Sequence, residues 1–455
     1  MPEQKSKGEA YQMKRTINKS MISIALVLVF FLMSGCFDSI EVDEMAYVVS
    51  LGIDKGLEGN LILSFLFAVP ISVGVGGEIG EVEKSTTLIT VEASTINGAV
   101  SIVNTLISKR INFSHAKLIL ISKELAQEGV EKYINALIRY REFRPNMYIA
   151  ISRGMAEEFL NAVRPVLEIN PAKFFELFMV SYKYTGYSPR SELERFYMKM
   201  ECTCNQPVAA LLDINDLSDS SEFSRVLSGA KINNHDNMEG NYKAGEIPVI
   251  SDTKSSSMGL AVFRGDKMVG EMAGREALSF LIVTGELGLV YYSIPDPVEG
   301  ETYRPGELMG IESEKKFVSL RLGMARKPSV KVSIKDDKPI INVNIFLEGD
   351  ILSVDSDQDY SLREQLNILE QHTAEHIRKS VYEFLVKTRD EFKSDICGTG
   401  RPVKKTFLYW DDWIAFKWMD KYENAEFNVE VKVSIRRSGV MAKHVPLSQL
   451  KGKDK

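Results

Sequence analysis

Apolar and polar positions in residues 45–152 switch repeatedly between a period of two and the helical period. Two apolar runs, 45–54 and 60–70, flank the turn 55–59, which predicts a β-hairpin with a well-buried second strand. A Gly-rich loop over 71–87 leads into an alternating strand at 86–93. Ile96, Val100, Val103, Leu106 and Ile107 then fall at helical spacing. Short apolar strands at 117–122 and 147–152 bracket a helix over 123–140, with Leu125, Val130, Tyr133, Ile134 and Leu137 inward. Further helices are predicted at 156–167, 171–184 and 192–200. Strands alternating with helices imply an α/β sheet.

The pattern changes across 213–258, where Ser, Asp and Asn dominate and a loop-rich linker is expected. From residue 259 a hairpin forms around 264–267, and an amphipathic helix follows near 276–281. Alternation at 316–323, 330–334 and 340–347 predicts an antiparallel sheet. The segment 361–392 carries Leu362, Leu366, Leu369, Ile377, Val381, Phe384 and Leu385 at spacings of three and four, as a long amphipathic helix does. Residues 427–435 alternate as a last strand. The expected fold class is mixed α/β and α+β in a multidomain body. An N-terminal α/β region, 36–212, is followed by the linker 213–258, then by an α+β domain, 259–445, with an antiparallel sheet and a long packed helix, and a polar tail, 446–455.

The N-terminus changes the picture from a free body to an exported one. Lys14, Arg15 and Lys19 precede the uncharged run 21–33, the basic and apolar regions of a secretory signal. Thirteen residues make about 20 Å of helix, short of the ~30 Å hydrocarbon core. The run ends in LMSGC at 32–36, where small residues before a cysteine resemble a lipobox; Met33 stands where such signals usually carry Leu. Residues 1–35 are therefore read as a lipoprotein signal peptide and Cys36 as the lipid attachment site. Met13 could be the true start in place of Met1. Each buried acyl methylene contributes ~0.8 kcal/mol to anchoring.

With 455 residues and 44% hydrophobic composition the chain can bury two or three ordinary cores. Its charge of −6, less the net +3 of residues 1–35, leaves −9 on the body, which argues against nucleic-acid binding. Besides Cys36 there are Cys202, Cys204 and Cys397. The one-residue spacing of Cys202 and Cys204 is unlike a zinc pair, and both are read as ordinary thiols.

Other candidate chemistry gives way to plainer explanations. HTAEH at 372–376 places His372 and His376 one helical turn apart, in the order of inverted zinc peptidases, but no third ligand is evident and a solvated helix edge is expected. The glycines of 73–80 miss the dinucleotide register and no Gly-Lys-Ser/Thr follows. His115 has no paired nucleophile and is expected to be structural. Trp410, Trp413, Phe416 and Trp418 are expected to pack under the final strand, with a partner surface as the alternative. No catalytic, metal or cofactor residues are assigned.

VSLGIDK at 49–55, SHAKL at 114–118, ELAQEG at 124–129, RYREFR at 139–144, GLAVF at 259–263 and EFKSDICG at 391–398 occur in this order behind Cys36. Together they resemble the Ger(x)C family of spore-germination lipoproteins, the lipid-anchored subunit of nutrient germinant receptors. At Cys397 the family usually has an aromatic residue, and 213–258 is longer and more acidic than the family pattern. The resemblance implies a mixed α/β body on the outer face of the spore inner membrane. It also implies two integral-membrane partners, one permease-like and one carrying large soluble domains, and no catalytic residues. The expected function is a non-enzymatic receptor subunit; the alternative is a lipid-anchored extracytoplasmic solute-binding protein.

Overall fold

The computed structural model describes residues 21–24, 41–69, 85–165, 167–215, 239–297, 316–356 and 358–437. The expectations for Cys36, most of the signal peptide, the glycines of 73–80, much of the linker and the polar tail lie outside them. Among the described residues, 21–24, 41–46 and 108–110 fall in a small separate unit, with a helical stretch at 21–24. The rest forms one larger unit.

The first half of the chain runs β1 (Met45–Lys55), β2 (Leu61–Ala68), β3 (Thr86–Ala93), α1 (Ile96–Val103), β4 (Arg110–Asn112), β5 (Leu118–Ser122), α2 (Lys123–Glu128), α3 (Glu131–Arg139), β6 (Tyr148–Ser152), α4 (Ala156–Ala162), α5 (Pro171–Val180), α6 (Tyr182–Thr185), α7 (Leu193–Glu201) and β7 (Val208–Ile214). There follow β8 (Ser255–Arg264), β9 (Lys267–Met272), α8 (Gly274–Thr284), β10 (Val290–Pro295), β11 (Phe317–Lys335), β12 (Lys338–Val354), α9 (Arg363–Asp390), α10 (Gly400–Lys404), α11 (Trp410–Phe416), α12 (Trp418–Tyr422) and β13 (Glu426–Arg437).

Nine strands make the first sheet, in the order β3-β2-β1-β5-β6-β7-β8-β9 with β4 beside β1. Its centre, β1-β5-β6-β7, is parallel, and the flanking pairs are antiparallel. All five residues of β5 are buried, as a parallel strand covered on both faces requires. The α4 and α5 helices pack Phe159, Leu160, Phe175 and Met179 onto Leu118, Leu120, Ala150 and Leu212. The second sheet is β10-β11-β12-β13. It is antiparallel as expected except that β13 lies parallel to β12, because the chain returns through α9 rather than a hairpin. The long helix α9 buries Leu369, Ile377, Val381, Phe384 and Leu385. One apolar cluster runs from Val208, Leu260 and Val262 of the first sheet through Phe280 and Leu281 to Ile341, Val343 and Ile345 of the second.

Several boundaries differ from the sequence reading for local reasons. The helix expected over 123–140 is two, because Gly129 takes φ 129°, outside any helix. The helix expected over 96–107 stops at Val103, and Leu106 is exposed. The alternating stretches at 316–323 and 330–334 are one 19-residue strand carried through irregular register at Met324–Ser329. Among the described residues no helix is long and apolar enough to cross a membrane.

Candidate functional site

The quoted motifs mainly brace the frame, although Phe143 of the 139–144 motif also lines a small cavity of about 140 Å³ with Ile138, Pro145, Leu193 and Tyr197. Asp54, 1% exposed at the end of β1, accepts hydrogen bonds from the Ala156 and Glu157 amides at 2.7 and 2.9 Å. It thus caps the N-terminus of α4, whose own flanking residue, Met155, offers no side-chain cap. Burial pushes its carboxyl up and the two amides pull it back. Two residues earlier, a Cβ on Gly52 would stand 3.0 Å from Leu160 and 3.3 Å from Ala156, so glycine here admits the close approach of α4. In the 139–144 motif Glu142 accepts from the Phe113 amide at 3.0 Å, while Phe143 stacks on Phe113 with centroids 4.5 Å apart.

The 391–398 motif makes the second brace. Asp395 is fully buried and accepts from the Thr399 and Gly400 amides, the Thr399 hydroxyl and the Trp418 indole, at 2.8–3.0 Å. Burial raises its pKa against the pull of these donors. Ser394 donates to the Phe263 carbonyl at 2.6 Å, and the Gln206 amide donates to the Asp395 carbonyl at 2.9 Å. The loop after α9 is thereby fastened to the first sheet. Cys397 is a free thiol, and burial pushes its pKa well up, so its environment disfavours the thiolate.

Cys202 and Cys204 are not ordinary thiols: they are bonded to each other, with Cα atoms 5.2 Å apart. The turn leaving α7 brings the two side chains to the same side, a geometry that their spacing alone does not reveal. Between them Thr203 accepts the Trp413 indole N–H at 2.7 Å. Nearby, Lys199 is buried at the C-terminal end of α7, its ammonium 5.3 Å from the centroid of the Phe280 ring. Burial pulls its pKa down to about 8.

The two histidines of 372–376 are half-buried rather than on a solvated edge. His376 contacts the Tyr292 hydroxyl through Nδ1 at 2.8 Å and the Arg275 guanidinium through Nε2 at 3.2 Å, so both ring nitrogens are engaged between α8, α9 and β10. Among the described residues no group of three or more His, Cys, Asp or Glu could hold a metal ion. His115 is exposed, stands edge-on to Tyr47 at 4.5 Å and contacts its neighbour Ser114 through Nδ1 at 3.2 Å. Of the aromatic cluster, Trp413 and Trp418 are buried as expected, but Trp410 is exposed.

Two further features were not anticipated. Arg153, Lys123 and Lys243 surround Glu271, whose side chain is almost wholly buried. Burial pushes the Glu271 carboxyl up, but Lys123 and Arg153 hold it below the usual carboxylate range. Glu246 completes the network at 2.8 Å from Arg153, and its charges nearly cancel, as in a structural ion cluster. A cleft of about 490 Å³ opens between Leu66, Leu88, Leu160 and Arg164. Arg164 spends one guanidinium nitrogen on the Asn161 and Val163 carbonyls, so its donors turn partly inward to the backbone rather than into the cleft. Among the described residues no nucleophile–base pair lines it.

These features define a two-sheet structural module, its motif residues spent on caps and fastenings. The chain belongs to a family of spore germination proteins: residues 38–214 match the spore germination protein N-terminal domain, and 258–439 match the spore germination B3/GerAC-like C-terminal domain. It is 22% identical to the putative spore germination protein YfkR of Bacillus subtilis (strain 168), over 95% of this chain and all of the relative. Spore germination protein KC of the same organism is 25% identical over 34% of this chain and 39% of the relative. Spore germination protein A3 is 29% identical over 29% and 35%. A solved structure, the crystal structure of the GerBC protein, aligns with a TM-score of 0.45 at 16% identity, covering 85% of this chain and 96% of that one.

Proposed function

We propose that this chain is a non-enzymatic, lipid-anchored subunit of a nutrient germinant receptor, tethered through Cys36 to the outer face of the spore inner membrane. In this reading the body stabilises or relays signals to a permease-like subunit and a second, multi-domain membrane subunit. The observation that carries it is the ordered match to both spore germination domains across residues 38–439. The spending of motif carboxylates on helix caps, rather than on a cavity, agrees with a scaffold. Small residues before Cys36 at the end of the apolar run support the tether.

Titration calorimetry of residues 37–455 against amino acids and sugars, with co-purification from membranes carrying the two candidate subunits, tests the assignment. Co-purification without binding is the expected result. Micromolar binding to the isolated body would overturn it in favour of a solute receptor. Separately, Cys36→Ala is expected to leave the membrane fraction; its retention there would remove the lipid tether.

A further inference from the structure

Three consecutive apolar side chains, Leu408, Tyr409 and Trp410, are 92%, 72% and 54% exposed, and Ile414, one turn along α11, is 43% exposed. The patch is held firmly from behind. Phe407, Trp413 and Phe416 form a ring cluster with centroids 5.1–6.0 Å apart, and Trp413 is fixed to Thr203. A loop that merely failed to fold would not be wedged in place by three aromatic rings. Burying such side chains is favourable, and among the described residues nothing covers them.

Charge identifies the occupant. Residues 401–421 carry Arg401, Lys404, Lys405, Lys417 and Lys421 against Asp411, Asp412 and Asp420, a net +2 in a chain of −6 that the Lys421–Asp337 pair reduces to +1. The Lys404 ammonium sits 4.5 Å above the Trp410 ring. Tryptophan and tyrosine favour the level of lipid headgroups, lysines extend from apolar stems toward phosphates, and basic groups favour anionic lipid.

We propose that the Leu408–Trp410 tip, with Ile414, enters the interfacial layer of an anionic bilayer and so fixes how the body stands on its membrane. The inference rests on the membrane-tethered reading above. The chain has three tryptophans, and Trp413 and Trp418 are each 2% exposed, so a change in emission on lipid contact reports Trp410.

The full chain is placed with vesicles of phosphatidylcholine and phosphatidylglycerol bearing brominated acyl chains, and sedimentation and tryptophan emission are read on the same samples. Quenching and a blue shift are expected, both lost in Trp410→Phe, weakened in Leu408→Asp, and weakened in Lys404→Glu. Co-sedimentation without quenching, or quenching undiminished in Trp410→Phe, overturns the proposal and leaves the tether standing. Quenching that persists in Cys36→Ala supports the tip, because it enters lipid without the tether. Failure to sediment at all overturns both.

Discussion

Asp54 and Lys199 are buried charges with opposite consequences. Asp54 satisfies two amides that α4 cannot satisfy for itself. Removing it in Asp54→Ala leaves both without an acceptor, at a cost of roughly 2–4 kcal/mol. Asp54→Asn, which keeps one acceptor oxygen, is expected to lose less; urea midpoints compare the three. Lys199 is charged at neutral pH in a site that disfavours the charge. Its folded pKa, about 8, lies below the 10.5 of an ordinary lysine, so between those values the unfolded chain binds more protons. The resulting penalty is complete below pH 8 and fades as pH rises toward 10.5. Lys199→Met is therefore expected to be more stable at pH 7 by on the order of 2–3 kcal/mol. Its advantage should shrink between pH 8 and 10.5; an advantage independent of pH would show that packing, not charge, is responsible. Neither role could be read beforehand, since Asp54 meets its helix 102 residues away and the helix predicted at 192–200 gave no sign that Lys199 is buried.

Elements were legible where one rule decided them. Alternation located β3 and β13, and the spacing of Leu369, Ile377, Val381 and Leu385 located α9 almost to its ends. What escaped were short elements whose identity depends on neighbours. β7 is a continuous apolar run that periodicity cannot tell from a buried helix, and α10 to α12 hold their place by Asp395 and Trp413 rather than by pattern. The Cys202–Cys204 bond belongs to this level, because it closes the turn that presents Thr203 to α11. Thr203→Val keeps the shape of the turn but leaves the Trp413 indole N–H without its acceptor, at an expected cost of roughly 1–3 kcal/mol. Denaturation midpoints measure that cost. A red-shifted Trp413 emission, read in a Trp410→Phe background, would show that α11 had also loosened.

At the scale of the whole molecule, the sequence suggests two successive domains, and strands from beyond the linker complete the first sheet while the second sheet is built wholly from the later residues. β8 and β9 follow the linker in the chain, yet they close the edge of the first sheet against β7, pairing Val208 with Val262 and Ala210 with Leu260. Val208, Leu260 and Val262 begin the apolar cluster that continues through α8 into the second sheet. A fragment ending at residue 214 would therefore keep its four parallel strands but expose the whole outer edge of β7. It would also uncover Val208, a member of that cluster, and lose the Lys123–Glu271 and Arg153–Glu271 pairs that fasten β9 across α2 and β6. An open, apolar strand edge invites association. The expectation is that residues 37–214 expressed alone aggregate or lack a cooperative transition, while residues 37–437 unfold in a single calorimetric transition whose van't Hoff and calorimetric enthalpies agree. Two separated transitions in the longer chain, together with a soluble, cooperatively folding 37–214, would mean that β8 and β9 are dispensable to the first sheet and that its stability resides in the parallel centre alone.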